Sequence, residues 1–283
     1  MIDLHTHSTA SDGSLTPAEL LDRAAALGVT GLALTDHDTM AGLEEARARA
    51  QTHGIRFLAG IELSTGWGKL DEVHLLGYGV DGAASGGLRA ACTGLRAARE
   101  RRAASMVEQL QAAGTRLRLE AVLAEAAGGA VGRPHVARAL VAGGWASDMA
   151  EAFRRWLVPG TPGYVPQERL ETPAAARLIR EAGGVAVLAH PGTLPLTIPE
   201  LEAAVAELCG HGLAGIEAYW AKHTPKLVGA CEAIAARHQL LATGGSDFHG
   251  AHKPEIELGM AAGEGPLSSE LLDALEARIA PGR

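Results

Sequence analysis

Short apolar runs alternate with amphipathic stretches over most of the chain. Seven of these runs are predicted to be strands: residues 1–4, 31–36, 56–64, 72–80, 184–191, 212–219 and 239–247. The stretch after the first run carries a helix-start signal, with Thr16 as N-cap, Pro17 in the first turn and Glu19 at the third helical position. Gly28 predicts the end of this helix. Because strands alternate with helices, the sequence predicts an α/β fold with a mainly parallel sheet or barrel.

The alternation stops between about residues 88 and 160. The stretches in this region have helical patterns, among them "LRAARERRAASMVEQLQAAG" and "RPHVARALVAGG". Strand signals resume afterwards, which favours a helical insertion over a separate helical domain. We therefore expect one α/β domain formed by residues 1–87 and 161–283. Residues 88–160 are expected to be an all-helical insertion that caps the substrate.

Composition limits the functional classes. The 283 residues are 47% apolar and 20% charged, as in a globular protein. A formal net charge of −8 argues against a basic nucleic-acid coat, although it does not exclude an anionic substrate. Three widely spaced cysteines predict neither a disulfide framework nor a cysteine zinc site. No signal-peptide pattern and no apolar run near the ~20 residues that span a bilayer are found, so we expect a cytoplasmic protein without membrane contact.

Histidines and carboxylates cluster where predicted strands end. The N-terminal stretch "DLHTHSTASDG" holds His5, His7 and Asp12. Further clusters follow at Asp36, His37 and Asp38, at Glu62, at His74, at His190, and at Asp247 and His249. In a βα barrel the C-terminal ends of the strands meet on one face. We therefore expect these residues, although far apart in sequence, to be neighbours in space.

These residue types are ligands for divalent transition metals. Imidazole and carboxylate suit Zn, Mn and Fe, and the number of groups exceeds what one ion can use. The sequence therefore predicts two or three ions, which together could bind phosphate oxygens. Taken singly, these residues could have structural roles, since Asp38 could cap a helix, Asp36 could orient a histidine and His74 could be a core histidine. Repetition at the strand ends favours the metal site.

Several motifs resemble those of the PHP (polymerase and histidinol phosphatase) superfamily. They are "DLHTHSTASDG", "LTDHDT", "GIE", "VHLLGY", "LAHPG" and "GSDFHG". The resemblance covers nearly the whole chain and is strongest to the bacterial branch of 3′,5′-nucleoside bisphosphate phosphatases and 5′–3′ exonucleases of short RNA. It implies a distorted seven-stranded βα barrel with a trinuclear metal centre. It also implies hydrolysis of a terminal phosphate of a 3′,5′-bisphosphonucleoside, and trimming of short 5′-phosphorylated single-stranded RNA or DNA.

The resemblance implies a ligand set for each ion. The first ion would take His5, His7, Glu62 and Asp247. The second would take Glu62 as a bridge, with His74 and His190, and the third would take Asp12, His37 and His249. Mn²⁺ is favoured, with Fe²⁺ and Zn²⁺ as alternatives. Within these sets, Asp12, His37, Asp247 and His249 are expected to take part in catalysis.

A second anion site is expected in the insertion. Arg99 and Arg102 are three residues apart, which places both on one helix face. Arg133 and His135 come at a predicted helix start, where backbone N–H groups also favour anions. Arginine suits phosphate because its guanidinium can donate two parallel hydrogen bonds. From the pattern alone the helix arginines could equally be solvated surface, but the resemblance favours substrate binding by all four residues and leaves Arg101 as surface.

Other activities compete with this hypothesis. One is a phosphatase for another small ester such as histidinol phosphate, but Asp12 stands where some histidinol phosphatases carry histidine. A second is metal-dependent hydrolysis of a C–N bond, which would not need the arginines and commonly uses a lysine at a strand end. The third is a non-catalytic metal-binding or nucleic-acid-binding module, which the complete ligand set disfavours.

Overall fold

The structure is a computed structural model that describes residues 1–80, 83–262 and 265–279, without the side chains of Asp71 and Ala83. Its strands are Ile2–Thr6 (β1), Gly31–Leu34 (β2), Arg56–Trp67 (β3), Leu70–Tyr78 (β4), Leu170–Glu171 (β5), Val185–Leu188 (β6), Leu213–Trp220 (β7) and Leu241–Gly245 (β8). The seven predicted strands are therefore confirmed, and the two-residue β5 is added to them.

Helices fill most of the segments between strands. They are Pro17–Ala26 (α1), Leu43–His53 (α2), Gly86–Ala112 (α3), Leu119–Ala126 (α4), Arg133–Ala142 (α5), Met149–Ala152 (α6), Thr172–Glu181 (α7), Ile198–Cys209 (α8), Pro225–His238 (α9) and Glu270–Ile279 (α10). A π-helical turn, Phe153–Leu157, continues α6. The predicted start of α1 is confirmed, since Thr16 and Glu19 cap each other reciprocally. Among the described helices, none has both the length and the apolar composition to cross a membrane.

The strands form one curled, mixed sheet. Its order is β1-β2-β3-β4-β6-β7-β8, and β5 pairs with the end of β3. Strands β1 to β3 run parallel to one another, as do β6 to β8. The prediction of a mainly parallel sheet is therefore confirmed with one exception, because β4 runs antiparallel to both of its neighbours. The short connection between β3 and β4 permits only this reversal, since a parallel crossover needs a dozen residues or more.

Curling brings the two ends of the sheet together. The Asp247 amide donates to the His5 carbonyl at 2.9 Å, and the His7 amide donates to the Phe248 carbonyl at 3.0 Å. The buried Asp3 carboxylate accepts hydrogen bonds from the Ser246 amide at 3.0 Å and the Ser246 hydroxyl at 2.6 Å. These bonds fasten β1, which carries two of the predicted ligands, to the segment that follows β8.

The two faces of the sheet have different partners. One face packs against α1, α2, α7, α8 and α9 in the largest apolar cluster. The other face packs against α10, where Leu58 and Tyr78 share a cluster with Leu272. Because side chains alternate along a strand, Glu62 lies on the same face as Leu58, and His74 on the same face as Tyr78. The interior of the curl is thus apolar where α10 covers it and polar at the other end.

Helix α3 connects the sheet to the helical region. Its first part contributes Leu88 and Leu95 to the core under the sheet, whereas its last part contributes Met106 and Leu110 to a second apolar cluster. Most of the remaining members of that second cluster come from α4, α5 and the turns that follow, up to Leu157. At 27 residues the helix is about 40 Å long, enough to run past the polar end of the curl.

The fastening of β1 to β8 predicts a strict requirement for glycine at position 245. A Cβ atom there would lie 2.5 Å from both the Cβ and the backbone N of His5, closer than packed atoms allow. We expect Gly245→Ala to lower the free energy of unfolding by about 2 kcal/mol or more, measured by urea denaturation. The matched control is Gly229→Ala in α9, where a Cβ meets nothing within 4 Å and alanine should stabilise by about 0.5–1 kcal/mol. Equal stability of the two variants would contradict the tight seam.

Candidate metal centre and phosphate site

All nine predicted ligands lie together at the polar end of the curled sheet. Their ligand atoms form four overlapping groups, and within each group the atoms lie within 4.8 Å of one another. The groups are His7, Asp12, His37 and His249; His5, His7 and Asp247; His5, Glu62 and His190; and His37, Glu62 and His74. The sequence placed these residues on one face, and the structure has them there.

Glu62 is at the centre of the cluster. Its buried carboxylate lies 2.8 Å from His74 Nδ1 and 2.8 Å from His190 Nε2 through one oxygen. The other oxygen is 3.0 Å from His37 Nδ1 and 3.4 Å from His5 Nε2. Burial alone would raise the pKa of Glu62, but the surrounding histidines hold that pKa well below its usual range. The carboxylate is therefore ionised, which is the form that binds cations.

The donor set fits divalent cations. His5 Nε2 and His7 Nε2 lie 3.1 Å apart, so two ring nitrogens of the kind that bind metals face a shared space. Three buried atoms in the cluster have no hydrogen-bond partner: His7 Nδ1, His37 Nδ1 and Glu62 Oε2. His37 Nδ1 and Glu62 Oε2 lie 3.0 Å apart, but their relative orientation does not allow a hydrogen bond between them. Buried polar atoms are costly unless something binds them, and imidazole with carboxylate is the preferred ligand set of Zn, Mn and Fe.

The electrostatics of the cluster also favour cations. Burial would raise the pKa of Asp12, yet His249 and His37 hold it well below its ordinary value. Burial likewise opposes a charge on His7, but Asp247 and Glu62 raise the pKa of that histidine to about 9. A histidine draws a proton so strongly only where the local potential is negative, and a divalent ion would respond to the same potential.

Glu217 holds two of the ligands in place, and the sequence analysis missed it. One of its oxygens lies 2.9 Å from His5 Nδ1, and the other accepts the His190 amide at 2.6 Å. A carboxylate on Nδ1 favours a proton there, which leaves the Nε2 lone pair of His5 facing the cluster. The available signal was a fully buried acid in the apolar strand "LAGIEAYW".

The reversal of β4 explains how His74 reaches the site. His74 lies in the first half of β4 and pairs with Ser64 of β3. Because β4 is antiparallel, this first half lies beside the late part of β3, at the same edge as the other ligands. His74 therefore lies within its strand, as its place inside the stretch "EVHLLG" indicates, whereas the expectation that Glu62 follows a strand is wrong because Glu62 lies within β3. Three other ligand or neighbouring positions use a left-handed backbone, with φ of 24° at His190, 53° at Asp38 and 58° at Asp247.

Two acids next to His37 have other partners than expected. Asp36 orients no histidine; it accepts from the Ser8 amide and hydroxyl at 2.8 and 2.6 Å and thereby fixes the loop after β1. Asp38 caps no helix; it accepts from the Ser64 amide at 2.8 Å and from Arg99 Nε at 2.8 Å. Asp38 thus links Ser64 of β3 to Arg99 of α3.

Lys253 is a further residue that the sequence analysis missed. Its Nζ lies 2.8 Å from Asp247 Oδ2, and it reaches the cluster from the segment after β8. Together with His249, it holds the pKa of Asp247 well below the usual range, against the effect of burial. Lys253 contacts the centre from a loop. The lack of a lysine at the predicted strand ends therefore does not by itself separate phosphoesterases from amidohydrolases.

Three of the predicted arginines line one cavity. This arginine cavity is bordered by Arg99, Arg102 and Arg133 together with Asp12, His37 and His74 of the cluster. Arg102 is fixed by the Val165 carbonyl at 2.7 Å and by Gln167 at 2.8 Å. Burial and the neighbouring Arg133 and Arg99 lower the pKa of Arg102 to about 10. The cavity thus places three guanidinium groups beside the proposed metal ligands Asp12, His37 and His74.

Glu72 also lines the arginine cavity, and the sequence analysis did not select it. Both of its oxygens lie 3.0 Å from Arg133, and one is 3.8 Å from Arg169. An anion entering the cavity has to compete with this carboxylate. Arg101, by contrast, is exposed and pairs with Glu168 at 3.2 Å, as its assignment to the surface predicted.

His135 differs from the three arginines. Its Nδ1 accepts the Gly132 amide at 2.9 Å and so caps the start of α5. Burial and Arg138 lower the pKa of His135 to about 4, so the ring is neutral at pH 7. The residues that line the arginine cavity include Gly132 and Arg133 but not His135. Contact between His135 and substrate stays a prediction.

Comparison with known proteins finds a family model and relatives that act on phosphate esters. A family model described as PHP domain matches residues 3–113. The chain is 39% identical to a 3′,5′-nucleoside bisphosphate phosphatase of Chromobacterium violaceum, over 98% of this chain and 97% of that protein. It is also 39% identical to the 5′-3′ exoribonuclease Rnm of Escherichia coli, over 91% of this chain and 87% of that protein. A solved structure of an amidohydrolase from Chromobacterium violaceum, with bound sulfate and no metal, matches with a TM-score of 0.87 at 38% identity, covering 98% of this chain and 96% of that one.

The curled mixed sheet, the His/Asp/Glu cluster and these relatives together define a metal-dependent phosphoesterase, a hydrolase of phosphate esters. More specifically, the chain belongs to the PHP-domain family.

The position of Glu217 predicts a measurable effect on metal affinity. Glu217→Gln removes the charge that orients His5 and places an amide N–H near the His190 amide, which is also a donor. We expect Mn²⁺ to bind about 10–100-fold more weakly, as for other groups that orient metal ligands. Titration of metal-free protein with Mn²⁺, followed by the EPR signal of free Mn²⁺, measures this directly. The control is Glu207→Gln on the exposed side of α8, and equal affinities in both variants would show that Glu217 has no such role.

Proposed function

We propose that this protein removes the 3′-phosphate of 3′,5′-bisphosphonucleosides and trims short 5′-phosphorylated oligonucleotides from the 5′ end. One observation carries the proposal: a cavity lined by three arginines is continuous with the metal ligands. A substrate with a single phosphate would need only the metal ligands. A second pocket beside them, lined by three guanidinium groups, suits a substrate with two phosphate groups.

We further propose three divalent ions, with Mn²⁺ favoured over Fe²⁺ and Zn²⁺. His5, His7, Glu62 and Asp247 would hold the first, and Glu62 with His74 and His190 the second. Asp12, His37 and His249 would hold the third, with Asp12 Oδ1 3.3 Å from His249 Nε2 and 3.9 Å from His37 Nε2. Bound there, the ions supply Lewis-acid stabilisation of the phosphoryl group and a nucleophile derived from water.

The arginine cavity is proposed to hold the 5′-phosphate. Cleavage from the 5′ end requires that the terminal phosphate be anchored while the next phosphate along the chain reacts. The relatives whose names specify a 3′,5′-bisphosphate and a 5′-3′ direction would then share a single binding mode. In that mode the 3′-phosphate, or the first internucleotide phosphate, lies at the metal ligands.

The chain's own residues prepare the cavity for that phosphate. Asp38 holds Arg99 through its Nε at 2.8 Å, and Ser64 holds the same guanidinium at 2.8 Å. Carbonyl oxygens hold Arg102 in the same way. Because these side chains are fixed before substrate arrives, little rotamer entropy is lost on binding. The arginines therefore bind one phosphate and set the position of the other.

The same proposal covers the architecture. We propose that the curled sheet is the distorted seven-stranded barrel of the PHP type, with residues 88–160 as a helical cap over the substrate. The separate apolar cluster of this region supports the division, since it contains residues from Ala103 to Leu157. The cap also supplies Arg99, Arg102 and Arg133, so it forms one wall of the proposed 5′-phosphate site.

A substrate panel tests the proposal. Phosphate release with Mn²⁺ is measured for adenosine 3′,5′-bisphosphate, 3′-AMP, 5′-AMP and histidinol phosphate. We expect the bisphosphate to have the highest kcat/KM and EDTA to abolish all activity. Arg102→Ala and Arg133→Ala should lower kcat/KM for the bisphosphate by about tenfold or more, as expected for lost hydrogen bonds to a charged group, and should change 3′-AMP little.

The matched control for these variants is Arg101→Ala, which removes a guanidinium next to Arg102 that pairs only with exposed Glu168 in the described structure. Its kcat/KM for the bisphosphate should equal that of the unaltered protein. Preference for histidinol phosphate, or equal losses on the bisphosphate and 3′-AMP, would overturn the two-phosphate proposal.

Substitution of Glu72 should have the opposite effect on substrate binding to substitution of the arginines. Glu72→Gln removes the carboxylate that competes for Arg133, so the bisphosphate should bind more tightly, with KM lowered about two- to fivefold for a half-exposed pair. Glu168→Gln, which disrupts the exposed pair with Arg101, should leave KM unchanged. A raised KM in Glu72→Gln would mean that Glu72 supports Arg133 rather than competing for it.

A further inference from the structure

A second cavity borders the metal cluster next to the arginine cavity. It shares Asp12, Pro134 and Phe153 with the arginine cavity, so Pro134 and Phe153 form a wall common to both. It also includes His249, one of the proposed metal ligands. The proposed ligands Asp12 and His249 therefore lie at its inner end, and the functions proposed above make no use of the rest.

The rest of this second cavity combines apolar surface with cationic side chains. Met149 and Phe153 provide the apolar part, and Met149 is 37% exposed, unusual for a large apolar residue in the described chain. Arg138 and Lys253 provide the cationic part, and His252 adds an imidazole. Phe153 and Met149 suit the face of a nucleobase, whereas arginine and lysine suit a phosphodiester.

Hydrogen bonds to neighbouring residues hold Arg138 and His252 at the second cavity. Arg138 donates from Nε to Glu125 at 3.1 Å, while its NH1 group is buried without a hydrogen-bond partner. His252 Nδ1 lies 2.8 Å from the Asp12 carbonyl, so it is a donor there and its Nε2 is left as an acceptor. These contacts fix the side chains in place and leave hydrogen-bonding capacity for a ligand.

We infer that the second cavity binds the nucleotide on the 3′ side of the phosphate that reacts. The inference rests on the proposed function, because it takes the 5′-phosphate to lie in the arginine cavity and the reacting phosphate at the metal ligands. The strand then leads past Asp12 and His249 into the second cavity, which these two residues border, so the next nucleotide lies there. Its base packs on Phe153 and Met149, and its own 3′-phosphodiester faces Arg138 and Lys253.

The reaction implied is hydrolysis of an internucleotide bond. Water supplies the oxygen that bonds to phosphorus, and the bond between phosphorus and the 3′ oxygen breaks. That 3′ oxygen takes up a proton. The products are a nucleoside 5′-phosphate with a free 3′-hydroxyl and a shortened strand with a new 5′-phosphate. A bisphosphonucleoside, which has no next nucleotide, does not reach the second cavity.

This difference gives a test with an internal control. Met149→Glu puts a negative charge into the second cavity at the first position of α6, where an acid is compatible with the helix start. For a 5′-phosphorylated RNA trinucleotide we expect kcat/KM to fall about tenfold or more, the loss typical of a disrupted base contact. For adenosine 3′,5′-bisphosphate kcat/KM should stay within about twofold, since that substrate ends at the metal ligands. Leu123→Glu on α4, at a similarly exposed apolar position (40%), is the matched control and should alter neither substrate.

The outcomes separate this inference from the proposed function. Equal effects of Met149→Glu on both substrates, or no effect on either, would overturn the second cavity as the site of the next nucleotide. Failure of the unaltered protein to cleave the trinucleotide while it hydrolyses the bisphosphate would overturn it too. Failure on the bisphosphate itself would instead overturn the proposed function, and the inference with it.

Discussion

The burial of one carboxylate, Glu62, among histidines determines most of what this structure can do. An isolated buried charge is very costly, so the groups around it have to compensate. Five histidines from four different strand regions do so here. The curl of the sheet, its seam between β1 and β8, and the reversal of β4 all serve to bring those histidines to one carboxylate. A cluster with several ionised carboxylates and unpartnered nitrogen atoms gains stability from cations in a way that a purely apolar core could not.

Features that depend on local sequence could be predicted, whereas features that depend on contacts between distant segments could not. The strands, the capping box at Thr16 and the convergence of the nine ligands follow from local pattern and from the rule that parallel strands end on one face. The direction of β4 and the partners of Asp36 and Asp38 depend on contacts between distant segments, and residue type alone does not specify them. Glu217 and Lys253 were missed for the same reason, because a single acid in a strand or lysine in a loop has many possible roles until its neighbour is known.

Different parts of the fold hold the metal cluster and the arginines in place. The metal ligands are held by strands and by buried carboxylates, whereas the arginines are held by α3, α5 and the loop around Val165. Asp38, which contacts both Ser64 of the sheet and Arg99 of α3, connects the two sets through a buried hydrogen-bonded path. In the proposed binding mode, the distance between the reacting phosphate and the anchored phosphate is therefore set largely by how α3 packs against the sheet.

Helix α3 has its two ends in different apolar clusters, and this has a consequence for the divergence of the family. Substitutions in the cluster around Met106 and Leu110 lie far from Leu88 and Leu95, and effects on stability at such separated, non-contacting sites are close to additive. The helical region can thus accumulate changes in shape and charge while the sheet that carries the His/Asp/Glu cluster stays intact. Under the proposed function, related chains that share one hydrolytic centre can in this way acquire different substrates by altering a part of the molecule that contributes none of the nine proposed ligands.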